Sequence, residues 1–383
     1  MKTFNLFSAS LLVLALASCS KSSIEKGTPQ TSDIGASDGP QTTNSGVITA
    51  AEWNDLQNWT FWNDVLNKNG NSKMQSTWGF YTNNRFSVKL SSTDSKALCD
   101  VPVDLLQDGQ IVFSTRTDNK GQAELWANLT VSSALVDASK FQISINKGFK
   151  TISEIKPYSQ GVNDISIEST WQNDNTTNVC FVIDATSSMV DELKYLKNEL
   201  YDVISRIKTD NPQSNVLTSA VFYKDTDDDY LTKKSDFNSN GSQTTSFIKA
   251  EEANGGGDFP EAVHSALDVA VNNLSWSAKA KSRIIFLVLD APAHNKTSVI
   301  SSLQKSILQA NSKGIKLIPI IASGADKDTE FSMRLMAMST NGTFVFITDD
   351  SKKGNTHYVP SVGSYQVEFL NNLMVRLVNA NLK

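Results

Sequence analysis

Five oxygen-bearing side chains, Asp184, Thr186, Ser188, Asp258 and Asp290, fall where a chain of alternating strands and helices turns at one edge of its sheet. Asp184-Ala185-Thr186-Ser187-Ser188 follows the apolar run Val179 to Ile183, and Asp290-Ala291-Pro292 follows the apolar run Ile284 to Leu289. Between them Gly255-Gly256-Gly257-Asp258-Phe259-Pro260-Glu261 precedes a helical stretch. A set made only of carboxylates and hydroxyls suits a hard cation, because such ions take oxygen donors and keep some of their waters. Mg²⁺ is the expected ion, with Mn²⁺ and Ca²⁺ as alternatives. Each piece also has a plainer reading. Ser188-x-x-Asp191 and Asp258-x-x-Glu261 have the spacing of helix capping boxes, the three glycines suit a flexible loop, and Asp290 could simply end a strand ahead of Pro292.

Other reactive groups are sparse. A second acidic group, Asp225, Asp227, Asp228 and Asp229, crowds one turn. Its alternate spacing mimics the start of a calcium loop, but Tyr230 stands where the glycine of such a loop is needed, so a solvated turn is expected. The three histidines are His264, His294 and His357. Asp290-x-x-x-His294 invites a catalytic reading, yet no nucleophile elbow, zinc-protease or phosphate-loop motif accompanies it. His294 is therefore read as a solvent-exposed loop residue and the chain as a non-enzyme, with metal-assisted hydrolysis the weakest alternative. Cys99 and Cys180 could bridge in an oxidising compartment, although a buried free thiol is common for a Cys inside an apolar run.

The elements that position these groups follow from periodicity. Val179 to Ile183 and Ile284 to Leu289 are continuous apolar runs, as strands buried on both faces require. Met189, Leu193, Leu196, Leu200, Val203 and Ile207 recur at helical steps, and residues 364–381 repeat the pattern. Strands at Val216 to Tyr223, Ile315 to Ile321 and Phe344 to Ile347 alternate with helices near 260–273 and 298–310. That alternation predicts an α/β fold, a doubly wound, mostly parallel sheet flanked by helices. Residues 51–68, with Trp53, Trp59 and Trp62, predict a Trp-rich helix that packs against a neighbouring domain. Short β-rich runs punctuated by turns over about 75–170 predict a small, immunoglobulin-like β-sandwich.

Three sequence segments together resemble one family. Asp184-x-Thr186-x-Ser188 resembles the D-x-S-x-S signature of the metal-ion-dependent adhesion site of von Willebrand factor type A (vWA) domains, with Thr for the first Ser. Gly255 to Glu261 resembles the G-G-G-D-x-P-E loop of bacterial members, and Leu289 to Pro292 resembles the loop that supplies the last Asp. The resemblance covers 176–383. It implies that Thr186 and Ser188 bind the metal directly and that Asp184 and Asp290 act largely through water. Asp258, where a Thr is usual, would bind directly or through water. It also implies an open position that accepts an acidic side chain of a protein partner, though the charge of Asp258 would weaken that pull. Thr115 to Ala123 resembles a hairpin of bacterial immunoglobulin-like and transthyretin-like extension domains.

The first residues read as an address. Lys2, the apolar stretch Leu6 to Ala17 and then Leu16-Ala17-Ser18-Cys19 resemble a lipoprotein signal, residues 1–18, ending at a lipidated Cys19. Ser20 leans towards the outer membrane. Residues 19–50 have almost no large apolar side chains and predict a flexible tether, followed by a 51–170 unit and a 176–383 unit. With 35 basic and 40 acidic residues and no basic run, nucleic acid is excluded as a partner. The expected function is a bacterial envelope lipoprotein that recognises a protein partner. The alternative is a structural subunit of an envelope complex whose metal fixes the loops.

Overall fold

The computed structural model describes residues 45–68, 70–169, 171–352 and 356–382. Cys19, the signal and the tether up to residue 44 lie outside the described residues.

The strands in chain order are β1 (Thr49–Trp53), β2 (Arg85–Ser92), β3 (Pro102–Gln107), β4 (Gln110–Arg116), β5 (Gln122–Trp126), β6 (Phe141–Ile145), β7 (Lys150–Ile152), β8 (Asn163–Ile167), β9 (Asp174–Asp184), β10 (Asn215–Tyr223), β11 (Thr232–Asn238), β12 (Ala280–Leu289), β13 (Ile315–Ile321), β14 (Phe344–Thr348) and β15 (Val367–Phe369). The helices are α1 (Trp59–Asn67), α2 (Lys73–Trp78), α3 (Val190–Asp210), α4 (Gly241–Ala250), α5 (Val263–Asn272), α6 (Thr297–Lys313), α7 (Lys327–Ser339) and α8 (Leu370–Leu382).

The apolar runs become the middle of an eight-stranded sheet of order β11-β10-β9-β12-β13-β14-β1-β15. Strands β10, β9, β12, β13 and β14 are parallel, with antiparallel additions at both sides. Alternate residues of β9 feed two cores. Val179, Phe181 and Ile183 pack with Leu196 and Leu200 of α3 and Leu373 of α8, and Cys180 and Val182 pack with α5, α6 and α7. Helices thus cover both faces, as the doubly wound reading requires. Order runs outward from β9 in one direction and from β12 in the other. The crevice beyond the carboxyl ends of these two strands is therefore the topological switch point, where such sheets bind ligands. Asp184 is the last residue of β9, and Asp290 directly follows β12.

Residues 51–68 depart from the expected single helix. Thr49 to Trp53 form β1, which inserts antiparallel between β14 and β15, and only Trp59–Asn67 is helical. Residues 45–50 are likewise not tether. The amides of Gly46, Val47 and Ile48 donate to the buried Glu199 carboxylate of α3. The Trp residues are core: Trp62 is fully buried and meets Phe331 of α7 at 5.9 Å between ring centres.

The expected small β-unit consists of two sheets, β5-β2-β8 and β4-β3-β6-β7, with Phe86 of β2 and Phe141 of β6 facing one another at 6.0 Å. Its core runs on without a break into the α5–α7 side of the large sheet. The β4–β5 hairpin docks on the large sheet, where Asp118 accepts from Lys316 at 3.1 Å and Asn119 donates to the Ala380 carbonyl at 2.9 Å. The Gly121 turn needs its glycine: φ is +72°, and a Cβ would lie 2.2 Å from the Leu90 carbonyl oxygen. Asp100 is shared by Arg116 and Arg283, at 2.6 and 2.7 Å, across the same junction. Cys99 and Cys180 are both free, and burial pushes their thiols up to about 11 and about 12, so neither is poised to react. No helix among the described residues is long and apolar enough to cross a membrane.

Candidate metal centre

Asp184 is fully buried. Its Oδ1 accepts from the amide and the hydroxyl of Thr186, at 2.9 and 2.7 Å. The Thr186 hydroxyl lies 3.2 Å from that of Ser188, which is exposed. The loop carrying them is clamped to the glycine loop: Ser187 donates from its amide and its hydroxyl to the Gly255 carbonyl, and the Asn254 amide donates to the Ala185 carbonyl. The glycine loop is pinned on its other side, where the Glu261 amide donates to the Pro292 carbonyl beyond Asp290. Gly255 and Gly256 both have positive φ, and a Cβ on Gly256 would lie 3.1 Å from Glu261 Oε1 and 3.2 Å from Thr186 Cβ, so the glycines permit the close approach.

The capping readings are not what the residues do. Helix α3 is preceded by Met189 and α5 by Ala262, neither with a side-chain cap. Ser188, Asp258 and Glu261 are therefore left for other work.

Buried negative charge dominates this crevice. Asp184, Asp290, Glu192 and Glu261 are each 3% exposed or less. One oxygen on each of them, Asp184 Oδ2, Asp290 Oδ1, Glu192 Oε2 and Glu261 Oε2, is buried without a hydrogen-bond partner. Burial is the first cause that raises all four acids, and mutual repulsion adds to it for Asp184, Glu192 and Glu261. Asp184 and Glu192 are pushed up to about 7 and Glu261 to about 9, and Asp290 is raised although the Ser188 hydroxyl opposes the rise. The Tyr223 phenol beside Asp184 is also raised, by burial and then by these charges, and its hydroxyl makes no well-formed hydrogen bond. Buried carboxylates are normally paired or bound to metal. The nearby buried ammonium of Lys224 is instead committed to Asp229 at 2.7 Å and to Asn254. A divalent cation fits the orphaned oxygens and the two hydroxyls beside them.

The acidic turn and His294 differ from expectation. Asp225 is buried and lies 2.9 Å from His294 Nε2, and the two side chains are 11% and 12% exposed. Asp228 accepts from the Asp225 and Gly256 amides, and Asp229 pairs with Lys224. Asp228 latches the turn onto the glycine loop and Asp225 is buried, while Asp227 and Asp229 are exposed as a solvated turn predicts. Asp258 is exposed and reaches the same face, but its near neighbours are Asp225 and His294: one ligand atom of each of the three lies within 4.8 Å of the others. Asp184, Thr186, Ser188 and Asp290 thus converge, and Asp258 joins the adjacent group. Glu192 and Glu261 were missed as site residues. The readable signal for Glu192 was a carboxylate beside Leu193 on the apolar stripe of α3.

Residues 178–353 match a family model described as the von Willebrand factor A domain. This stretch is a von Willebrand factor A domain. An ariadne-like RING finger protein of Acanthamoeba polyphaga mimivirus is 30% identical over 139 residues, which are 35% of this chain and 13% of that protein. The chain thus spans only a small part of that relative's length. Two solved structures are each similar over about half of the chain. The conserved hypothetical protein BatB of Bacteroides thetaiotaomicron is 11% identical, with a TM-score of 0.37, covering 53% of this chain and 98% of that one. Proximal thread matrix protein 1 of the mussel byssus is 15% identical, with a TM-score of 0.40, covering 55% and 48%.

The charges make the metal-free vWA domain pH-sensitive with a definite sign. An acid whose folded pKa exceeds its unfolded value costs stability as pH rises from the unfolded value through the folded one. With Asp184 and Glu192 raised to about 7 and Glu261 to about 9, metal-free protein is expected to lose thermal stability progressively from about pH 5 to about pH 9. Saturating Mg²⁺ is expected to flatten the slope. Melting curves with chelator and with Mg²⁺ check this, and identical slopes would contradict it.

Proposed function

We propose that this chain is a bacterial envelope lipoprotein, anchored through Cys19 in the outer membrane, whose vWA domain uses one divalent cation to recognise a protein partner. The observation that carries the reading is the set of four buried, unpartnered carboxylate oxygens at the switch point of the sheet, beside the Thr186 and Ser188 hydroxyls. Thr186 and Ser188 would hold the ion directly, with Asp184 and Asp290 around it and Asp258 at its rim. Mg²⁺ suits this oxygen set best, and Mn²⁺ or Ca²⁺ could replace it. Bound there, the ion supplies a positive charge able to take an acidic side chain from a partner. The chain's own part is to hold that charge at the surface end of a buried cluster, since Ser188 and Asp258 are exposed while Asp184 and Thr186 are not. The reading is of a binding module and not of an enzyme.

A structural role for the metal is the second reading, favoured by the loop clamps that converge on Gly255 and Glu261. Immobilised full-length chain, challenged with envelope extract in Mg²⁺ and in chelator, separates the two. Recognition through the ion predicts a partner that elutes with chelator and is not retained by Asp184→Asn. A partner held equally in chelator would reject recognition through the ion.

A further inference from the structure

We propose that Asp225, Asp258 and His294 hold a second cation, of the kind that takes mixed nitrogen and oxygen donors, next to the oxygen-only site. The three residues come from three separate segments: the end of β10, the glycine loop and the loop after β12. Their ligand atoms nonetheless lie within 4.8 Å of one another, and among the described residues they are the one such group of three. An imidazole with two carboxylates suits Zn²⁺ or Mn²⁺ better than Mg²⁺, and three protein ligands leave a position for water or a partner group. His294 is not a loosely placed surface side chain, since both it and Asp225 are mostly buried and their contact already orients the ring.

A second observation points the same way. Glu261 is 3% exposed and its Oε2 has no partner. Among neighbouring charges, those of Asp184 and Asp225 act on it most strongly, one from each group. Its main chain bridges to Ala293, the residue before His294. Glu261 is thus an unpaired buried carboxylate close enough to both groups to feel their charge. Lys224 does not meet the need, because Asp229 and Asn254 engage it.

The competing explanation is a plain ion pair, His294 with Asp225, that locks two loops. Equilibrium dialysis of the full-length chain against Mg²⁺, Mn²⁺ and Zn²⁺, with metal analysis, distinguishes them. The expected result is one equivalent of Mg²⁺ but two of Mn²⁺ or Zn²⁺. In His294→Gln, Zn²⁺ should fall to one equivalent while the Mg²⁺ equivalent persists, and Asp184→Asn should show the reverse loss. If His294→Gln fails to fold by circular dichroism, Asp225→Asn, which removes the other carboxylate of the group, gives the same test. One Zn²⁺ equivalent in wild type, or two that survive both His294→Gln and Asp225→Asn, would overturn the second site. Loss of Mg²⁺ binding alone would touch only the oxygen site, so the two readings fail separately.

Discussion

Replacing Arg334 with Ala is expected to lower folding stability by about 3–5 kcal/mol, the range found when one member of a buried ion pair is removed. Arg334 is fully buried in α7 and donates to Asp55 at 2.9 and 2.6 Å, to Glu330 at 2.6 Å and to the Ser361 carbonyl at 2.9 Å. Its guanidinium also stacks 4.9 Å from the Trp62 ring. Asp55 takes a further bond from the Trp53 indole at 2.9 Å. The Arg334 side chain therefore ties the segment after β1 to α7, and its loss would strand two buried carboxylates. Urea denaturation monitored by Trp fluorescence measures the change. If the loss instead came mainly from lost packing, a triple variant, Arg334→Ala, Asp55→Asn, Glu330→Gln, would be no more stable than the single variant. The account predicts that it recovers much of the loss, because no charge is left unpaired.

Asp184→Asn is expected to act in opposite directions with and without metal. Asp184 is fully buried, and its carboxyl is pushed up to about 7 by burial first and Asp290 second. At pH 8 the wild-type, metal-free protein bears the cost of that ionisation, on the order of 4 kcal/mol at about 1.4 kcal/mol per pKa unit. An amide oxygen can still accept from the Thr186 amide and hydroxyl. The variant should therefore melt at higher temperature than wild type in chelator, by several degrees. In saturating Mg²⁺ it should gain no further stability, whereas wild type gains by mass action. A variant less stable than wild type in chelator would show that the buried charge is compensated by something other than a cation.

Much of the vWA core was legible because its strands are continuous apolar runs. Val179 to Ile183 and Ile284 to Leu289 could be little else, and their carboxyl ends locate Asp184 and Asp290 by topology alone. The stripe from Leu193 to Ile207 announced α3 equally clearly. β1 was not legible, because Trp53, Leu56 and Trp59 mimic helical spacing. Its partners, Phe344 to Thr348 and Val367 to Phe369, lie some three hundred residues away. Pairing at that range leaves no local periodic signal. His294 and Glu261 stand in legible segments, Asp290-x-x-x-His294 and Gly255 to Glu261, but only folding shows that their side chains are withdrawn into a shared crevice. For α3 the information was present, since Glu192 and Glu199 fall seven apart on a face that also carries Leu196 and Val203. Charges at core-facing helix positions are costly unless used: Glu199 grips the amides before β1, and Glu192 joins the acidic crevice at the end of β12.

The buried carboxylates at the ends of β9 and β12 are expected to hold a divalent cation. Isothermal calorimetry of Mg²⁺ into the chelator-stripped, full-length chain tests it most directly, with Asp184→Asn and Asp290→Asn run alongside. The expected result is a saturable, one-to-one Mg²⁺ isotherm with proton release from the raised acids, weakened roughly 10–100-fold in either variant, as for residues that act through metal-bound water. A folded wild-type chain that takes up no Mg²⁺, Mn²⁺ or Ca²⁺ would contradict it and leave a vWA scaffold whose buried acids stay protonated.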